Sequence, residues 1–272
     1  MKEVFLHAYA IAVALSILFL IPTGAVVTNS LATPSPAALA AATGLFSRNG
    51  HQHVAELVGV LTLILVVWVL VSEKSALVRR LAWIPLVIVF AEIGLGHAAG
   101  KGSPAVSLVH AFLAPVFLAS VAALAFATSP AWRREPVMIQ DRGWPPLRGL
   151  AKTALGFVVL QVALGASFRH GVIGVMFHIV GALFVVLTLL AFVVCLTTLA
   201  DHPLLGPAAM TLLVITFVQM LLGLTVLVMS DQTLAKLEGL LVGAAHVTLA
   251  SLILAISVIV VMETHRSVRG RV

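Results

Sequence analysis

Four of the chain's ten histidines, His51, His110, His178 and His246, share a local signature that could carry chemistry. Each lies early in an apolar run and has alanine four residues later (Ala55, Ala114, Ala182 and Ala250), one turn deeper on the same helix face. A small residue beside an inward-pointing imidazole leaves room for something large and flat. Three of these histidines follow an apolar run with a fixed ending: Glu92-x-x-Leu95-Gly96 before His110, Gln161-x-x-Leu164-Gly165 before His178, and Gln219-x-x-Leu222-Gly223 before His246. A weaker form, Thr23-Gly24, precedes His51. One helical hairpin therefore recurs four times, with a histidine early in each second helix. A porphyrin iron accepts one neutral imidazole nitrogen from each side, so the pattern points to bis-histidine haem ligation inside an apolar bundle. A lone membrane histidine serves equally well as a hydrogen-bond donor between helices. Four in one register, each followed by the same small residue, favour the ligand reading.

The elements that must position these residues follow from composition. With 61% hydrophobic and 10% charged residues and a mean hydropathy of +1.16, the chain exceeds the apolar share of soluble globules, which is about one half. An integral membrane protein is expected. Its 272 residues are nearly consumed by spans of about 20 residues each, which leaves no room for a soluble catalytic domain. Runs bounded by Pro, Gly and charge predict eight spans, at 5–27, 51–71, 81–96, 106–127, 150–166, 172–199, 205–229 and 240–262. The first is too long for a signal-peptide core and is needed as partner to the second. The expected fold is all-α: two repeated four-helix bundles, 1–128 and 149–272, joined by a linker at 129–148 that holds Trp132, Trp144, Pro145 and Pro146.

Lys2, Lys74, Arg79, Arg80, Arg133, Arg134, Arg142, Arg148, Lys152, Arg266, Arg269 and Arg271 fall on one side of this topology, and only Arg48, Lys101, Arg169 and Lys236 on the other. Both termini are therefore expected in the cytoplasm, with the protein a multi-pass component of the inner (plasma) membrane. Topology accounts for the net charge of +6, and no nucleic-acid partner is needed. The single cysteine, Cys195, excludes an intrachain disulfide or a cysteine-based metal site. The chain has no P-loop, dinucleotide glycine motif or Ser-His-Asp arrangement.

Even-numbered spans all run from outside to inside, so the four histidines are expected at one depth and pair within halves, His51 with His110 and His178 with His246. His53 lies about 200° around the helix from His51 and cannot share its pocket. His97 and His170 fall at outer helix ends, where they could line an entrance, and His7, His202 and His265 read as interface or tail residues. Glu92 is a carboxylic acid inside an apolar span, where two other hairpins carry Gln161 and Gln219. It is either catalytic or a protonated stand-in for those amides. Glu56 is the second candidate acid and shares the face of His53. Arg48, Lys101, Arg169 and Lys236 are the outer-side cations that could pair with haem propionates, unless they are interfacial anchors. The long outer loop 28–50 reads as a lid over the first half.

Taken together, these features resemble the heme A synthase family over nearly the whole chain: eight spans in two halves, a Gln-x-x-Leu-Gly element in odd spans and one ligand histidine in each even span. The resemblance implies oxidation of a porphyrin methyl group of haem O to the formyl of haem A, for use in a terminal oxidase. It makes His178 and His246, with Arg169 and Lys236 nearby, the holders of an electron-relaying haem b. His51 and His110, with Arg48 and Lys101, would flank the substrate haem O. It further implies membrane lipid, haem O synthase and the terminal oxidase as surroundings, admits a homo-oligomer, and leaves the electron donor open. Three features depart from the family. Its glutamate three residues before the first ligand histidine is Arg48 here, its outer-loop cysteine pair is absent, and the third outer loop, 167–171, is short. The acid that assists oxidation would then be Glu92 or Glu56. Two other readings use the same histidines: a diheme b-type cytochrome that passes electrons without modifying haem, and a repeat-built transporter or channel with histidine metal ligands.

Overall fold

The computed structural model describes residues 2–32, 43–99, 103–141, 143–199, 202–229 and 236–269. Among these, eight helices are long and apolar enough to cross a membrane. They are α1 (Lys2–Ala32), α2 (Arg48–Ser72), α3 (Ala76–Ala99), α4 (Pro104–Ala127), α5 (Leu147–Arg169), α6 (Val175–Leu199), α7 (Leu205–Val228) and α8 (Leu237–Ser267). The protein is a multi-pass helical membrane protein. Neither α6 nor α7 contains an acidic or basic residue other than His178, and large apolar side chains such as Ile64, Phe90, Leu183 and Phe217 face outward. In water such a surface would aggregate, whereas lipid tails accept it.

Within each consecutive set of four helices, neighbours in sequence are neighbours in space and the fourth closes on the first: α1 to α4 make one ring of contacts, α5 to α8 another. The rings share a seam in which α8 packs against both α1 and α4. Fully buried Ile17, Leu65, Leu124, Phe192 and Leu254 belong to one continuous core that crosses this seam. Pro22, Pro85 and Pro115 lie inside helices, which a membrane bundle tolerates because adjacent helices re-satisfy the freed backbone groups.

Most helices run past their apolar cores. α8 extends to 237–267 and takes in Glu238, Glu263, His265 and Arg266, polar residues that a hydropathy boundary leaves outside. The sixth span starts later than expected, at Val175. Gly171, with φ +70°, ends α5 in a left-handed turn in which Gly171 N–H donates to Phe168 O (3.0 Å) and Val172 N–H to Ser167 O (2.9 Å).

The all-α expectation holds, and the linker at 129–148 adds a short helix and a two-residue strand pair. Ser129 caps a one-turn helix, Pro130–Arg133, and β1 (Ile139–Gln140) pairs in parallel with β2 (Val268–Arg269). The end of α8 is thereby tied to the connection between the two helix sets. The Arg266 guanidinium lies 4.8 Å from the centre of the Trp132 ring, and its Nη1 donates to Trp132 O at 2.5 Å. Arg148 Nη2 donates to His265 O at 2.8 Å.

Beneath this clasp is a buried polar node that the sequence did not reveal. Glu263, 2% exposed, accepts from Ser267 Oγ at 2.7 Å and from Arg266 Nη2 at 3.0 Å. His202, read from sequence as an interface residue, is 5% exposed. Its Nδ1 accepts from the backbone N–H groups of Leu204 (3.2 Å) and Leu205 (3.0 Å), which places the ring proton on Nε2, 3.6 Å from Glu263 Oε1. Burial holds this imidazole below its ordinary range, against an upward pull from Glu263. Glu263→Ala removes the acceptor of Arg266 and Ser267 and the charge facing His202. Stranding one partner of a buried ion pair typically costs about 3–5 kcal/mol, so the melting midpoint in mild detergent is expected to fall by several degrees. An unchanged midpoint would show that the node contributes no stability.

Candidate functional site: four seated histidines

In each hairpin the imidazole lies against the backbone of the preceding helix, at the glycine of the motif. A Cβ placed on Gly24 would meet His51 Cε1 at 2.8 Å, on Gly165 His178 Cε1 at 3.0 Å, and on Gly223 His246 Cε1 at 2.9 Å. At Gly96 the corresponding approach to His110 Cε1 is looser, 3.5 Å. The glycine of the Leu-Gly pair is thus the seat of the ring. From sequence it marked the motif; its reason is this close approach.

The polar residue of each motif takes a nitrogen of the same ring. Thr23 Oγ1 is 2.8 Å from His51 Nδ1, and Glu92 Oε2 contacts His110 Nδ1 directly. Gln161 Nε2 is 3.0 Å from His178 Nδ1 and donates to His178 O at 2.9 Å, while Gln219 Nε2 is 3.2 Å from His246 Nε2. Thr23 therefore belongs to the motif in full, although it adjoins its glycine instead of preceding it by four. The short hydroxyl bonds the ring from the position next to the seat; the longer Glu and Gln reach it from a turn away. Gly181 completes the arrangement at His178, since a Cβ there would stand 2.3 Å from Gln161 Oε1.

These contacts fix which nitrogens are free. Thr23 donates its only hydroxyl proton to Leu20 O at 2.6 Å, so His51 Nδ1–H must donate to Thr23 and the lone pair of His51 Nε2 is left available. Glu92 Oε2 contacts His110 Nδ1 without a hydrogen bond of normal geometry. Gln219 Nε2 donates to His246 Nε2, which puts the ring proton on the buried Nδ1, and among the described residues that N–H has no partner.

The rings also meet across helices. His178 and His246 have centroids 6.2 Å apart with planes at 75°, and Phe168 stacks on His178 at 6.5 Å and 14°. A metal held between two imidazoles needs about 2 Å per metal–nitrogen bond and roughly 1 Å from nitrogen to ring centre on each side, about 6 Å in all. The His178–His246 separation meets that requirement once each glutamine turns its amide oxygen to the ring, since an amide N–H donating to one ring nitrogen leaves the proton on the other. The residues present fit a bis-histidine haem.

Other expected site residues fall elsewhere. Glu56 turns away from His51: it pairs with His53 at 3.5 Å, and both side chains are about three-quarters exposed (75% and 78%). Three residues separate them, so the helix puts both on one outward face. As a catalytic candidate Glu56 is displaced by that geometry, whereas Glu92, 12% exposed, touches a site histidine. Arg169 was expected at a propionate; its Nη2 instead donates to Ala25 O (2.7 Å) and Asn29 Oδ1 (2.8 Å) on α1, binding the second helix set to the first. Its neighbour His170 is held below the ordinary imidazole range by burial, then by Arg169 and His110. His97 is exposed near the end of α3, Lys236 is exposed at the start of α8, and Arg48 opens α2 after its Ser47 cap. Lys101 and positions 33–42 of the expected lid lie outside the described residues. Gly181, Asn29 and Phe168 were not singled out from sequence: Asn29 meets Arg169 from a distant helix, and Gly181 and Phe168, although inside the α5–α6 hairpin, do not recur in the other hairpins. Comparison with protein-family models and with curated proteins returned no match.

Proposed function

We propose that the protein is a haem-dependent membrane oxidoreductase of the heme A synthase type, which oxidises a porphyrin methyl group of haem O to the formyl of haem A. The observation that carries the reading is the His178–His246 pair, 6.2 Å apart and each fixed by its own glutamine and glycine. Haem b between these two rings would supply one-electron transfer when bound. The protein's own part is to hold both imidazoles at that separation within an apolar, water-poor bundle.

His51 and His110 form the corresponding pair for the substrate haem, with Thr23 and Glu92 against the rings and Thr23 leaving His51 Nε2 unprotonated. Glu92 Oε1 is buried and, among the described residues, unbonded, so it can hold or receive a proton beside the substrate position. In this reading the two helix sets are repeats of one four-helix bundle. The basic end is cytoplasmic in the inner membrane, and the histidine end faces outward. Haem O synthase and a terminal oxidase would supply substrate and take product.

Porphyrins extracted from the purified protein and identified by mass test this directly. Haem b together with haem O or haem A is the expected result. Haem b alone would establish a diheme cytochrome instead, and a preparation without a Soret band from haem-replete cells would leave the histidines as ligands for another metal.

A further inference from the structure

Thr23 differs from the other ring partners in what it can offer. A carboxamide carries a donor on one side and an acceptor on the other, and Gln161 and Gln219 turn their N–H groups to His178 and His246. A hydroxyl has a single proton, and that of Thr23 is committed to Leu20 O at 2.6 Å. What faces His51 Nδ1 at 2.8 Å is therefore an acceptor only. Thr23 is fully buried and β-branched, so its side chain has little freedom to turn. The ring proton of His51 is held on Nδ1 and the lone pair on Nε2. No other seated ring is fixed in that sense: His178 and His246 face amide donors, and His110 Nδ1 meets Glu92 without a hydrogen bond of normal geometry. Gly24 adds to the difference. A Cβ there would stand 2.8 Å from His51 Cε1 and 3.2 Å from Nε2, so a side chain at this position would cover the nitrogen that carries the lone pair. The surroundings of His51 fit one imidazole–iron bond, and among the described residues no second ring presents a lone pair fixed in the same way.

Resting on the haem-binding reading above, we propose that iron in the first helix set is bound by His51 alone, through Nε2, and that Thr23 is the positioning residue that keeps this nitrogen unprotonated. The opposite face of the iron is then open. An oxidation carried out at iron needs a free axial position, which a second imidazole would fill. His110 has the loosest seat of the four rings, 3.5 Å from a Cβ on its glycine, and Glu92 lies against it, so it is the polar group of this set that is not tied to the iron. A committed hydroxyl at one ring and reversible carboxamides at two others thus separate a set that reacts from a set that only holds its cofactor.

The test is reconstitution of the full-length protein with haem b, read by absorption and by electron paramagnetic resonance. In the double variant His178→Ala with His246→Ala, where bound haem reports the first set, a high-spin ferric signal is expected that added cyanide converts to low spin. The signal should persist when His110→Ala is added and vanish when His51→Ala is added. Thr23→Val, which keeps the shape and removes the acceptor, should weaken haem binding there by about 10–100-fold, the usual effect of losing the partner of a ligating histidine, whereas Thr23→Ser should bind as the parent does. Low-spin haem that turns high-spin on His110→Ala would put a second imidazole on the iron and overturn the proposal, and undiminished affinity in Thr23→Val would overturn the part given to Thr23. Where the double variant fails to fold, wild type carries the same readout: a high-spin component beside the low-spin one, lost in His51→Ala and kept in His110→Ala. Wild type holding low-spin haem only, indifferent to His51→Ala, would sink this proposal and leave haem binding intact. Failure of wild type to take up any haem would overturn the functional reading itself.

Discussion

His178→Ala and His246→Ala are each expected to reduce stably bound low-spin haem to less than about a tenth of wild type, because a bis-histidine site that loses one imidazole loses one of its two iron bonds outright. No neighbour can take the place of either ring. Gln161 and Gln219 are amides already engaged with the rings, and Phe168 offers only a face. The closest other imidazole on the same helical hairpin as His178 is His170, at the turn end of α5, and its neighbour Arg169 is committed to α1. The reduced-minus-oxidised spectrum of each purified variant, normalised to protein, is the measurement. A spectrum unchanged in either variant would remove that histidine from the ligand set. A five-coordinate, high-spin spectrum at full haem content would show that one ring suffices to retain the cofactor, and the 6.2 Å pairing would then need another explanation.

How far the sequence reached can be judged on individual residues. The four alanine-register histidines are the four seated rings, and Glu92, Gln161 and Gln219 are their partners, because a motif repeated at helical spacing encodes contacts inside a single hairpin. Thr23 was underrated for the opposite reason: its offset from Gly24 differs from that of the glutamines, and only the length of a hydroxyl side chain makes the two offsets equivalent. Contacts between distant segments left no trace in the pattern. Arg169 reaching Asn29 joins the two helix sets, and His202 facing Glu263 joins the α6–α7 connection to the end of α8. Composition had filed Arg169 by side of the membrane, which says where a charge sits and nothing about what it binds. The paired strands at Ile139 and Val268 were invisible for the same reason, since two residues on each side are too few to show alternation.

His51→Ala and His110→Ala are expected to cut haem A yield by more than tenfold in a strain that depends on this protein, while the low-spin haem held by His178 and His246 stays at its wild-type level. The separation follows from geometry. Each ring is fixed by its own hairpin, His51 by Thr23 and Gly24 and His110 by Glu92, so removing either leaves the Gln161 and Gln219 contacts of the other pair untouched. Among the described residues the Arg169 bonds to Ala25 and Asn29, and the packing of Ala25 and Val26 on Leu240 and Ala244, join the sets at this end, and none of these contacts involves a ligand ring. Glu92→Gln should fall between wild type and the histidine variants, because the amide still orients His110 but supplies neither charge nor a proton acceptor of comparable basicity. Glu56→Gln provides the comparison for position: its side chain points outward beside His53, so its effect should be smaller than that of Glu92→Gln. Loss of the low-spin haem in His51→Ala or His110→Ala would show that the two sites fold as one and would defeat the division of labour. Full haem A yield in both would place the oxidation outside the first helix set altogether.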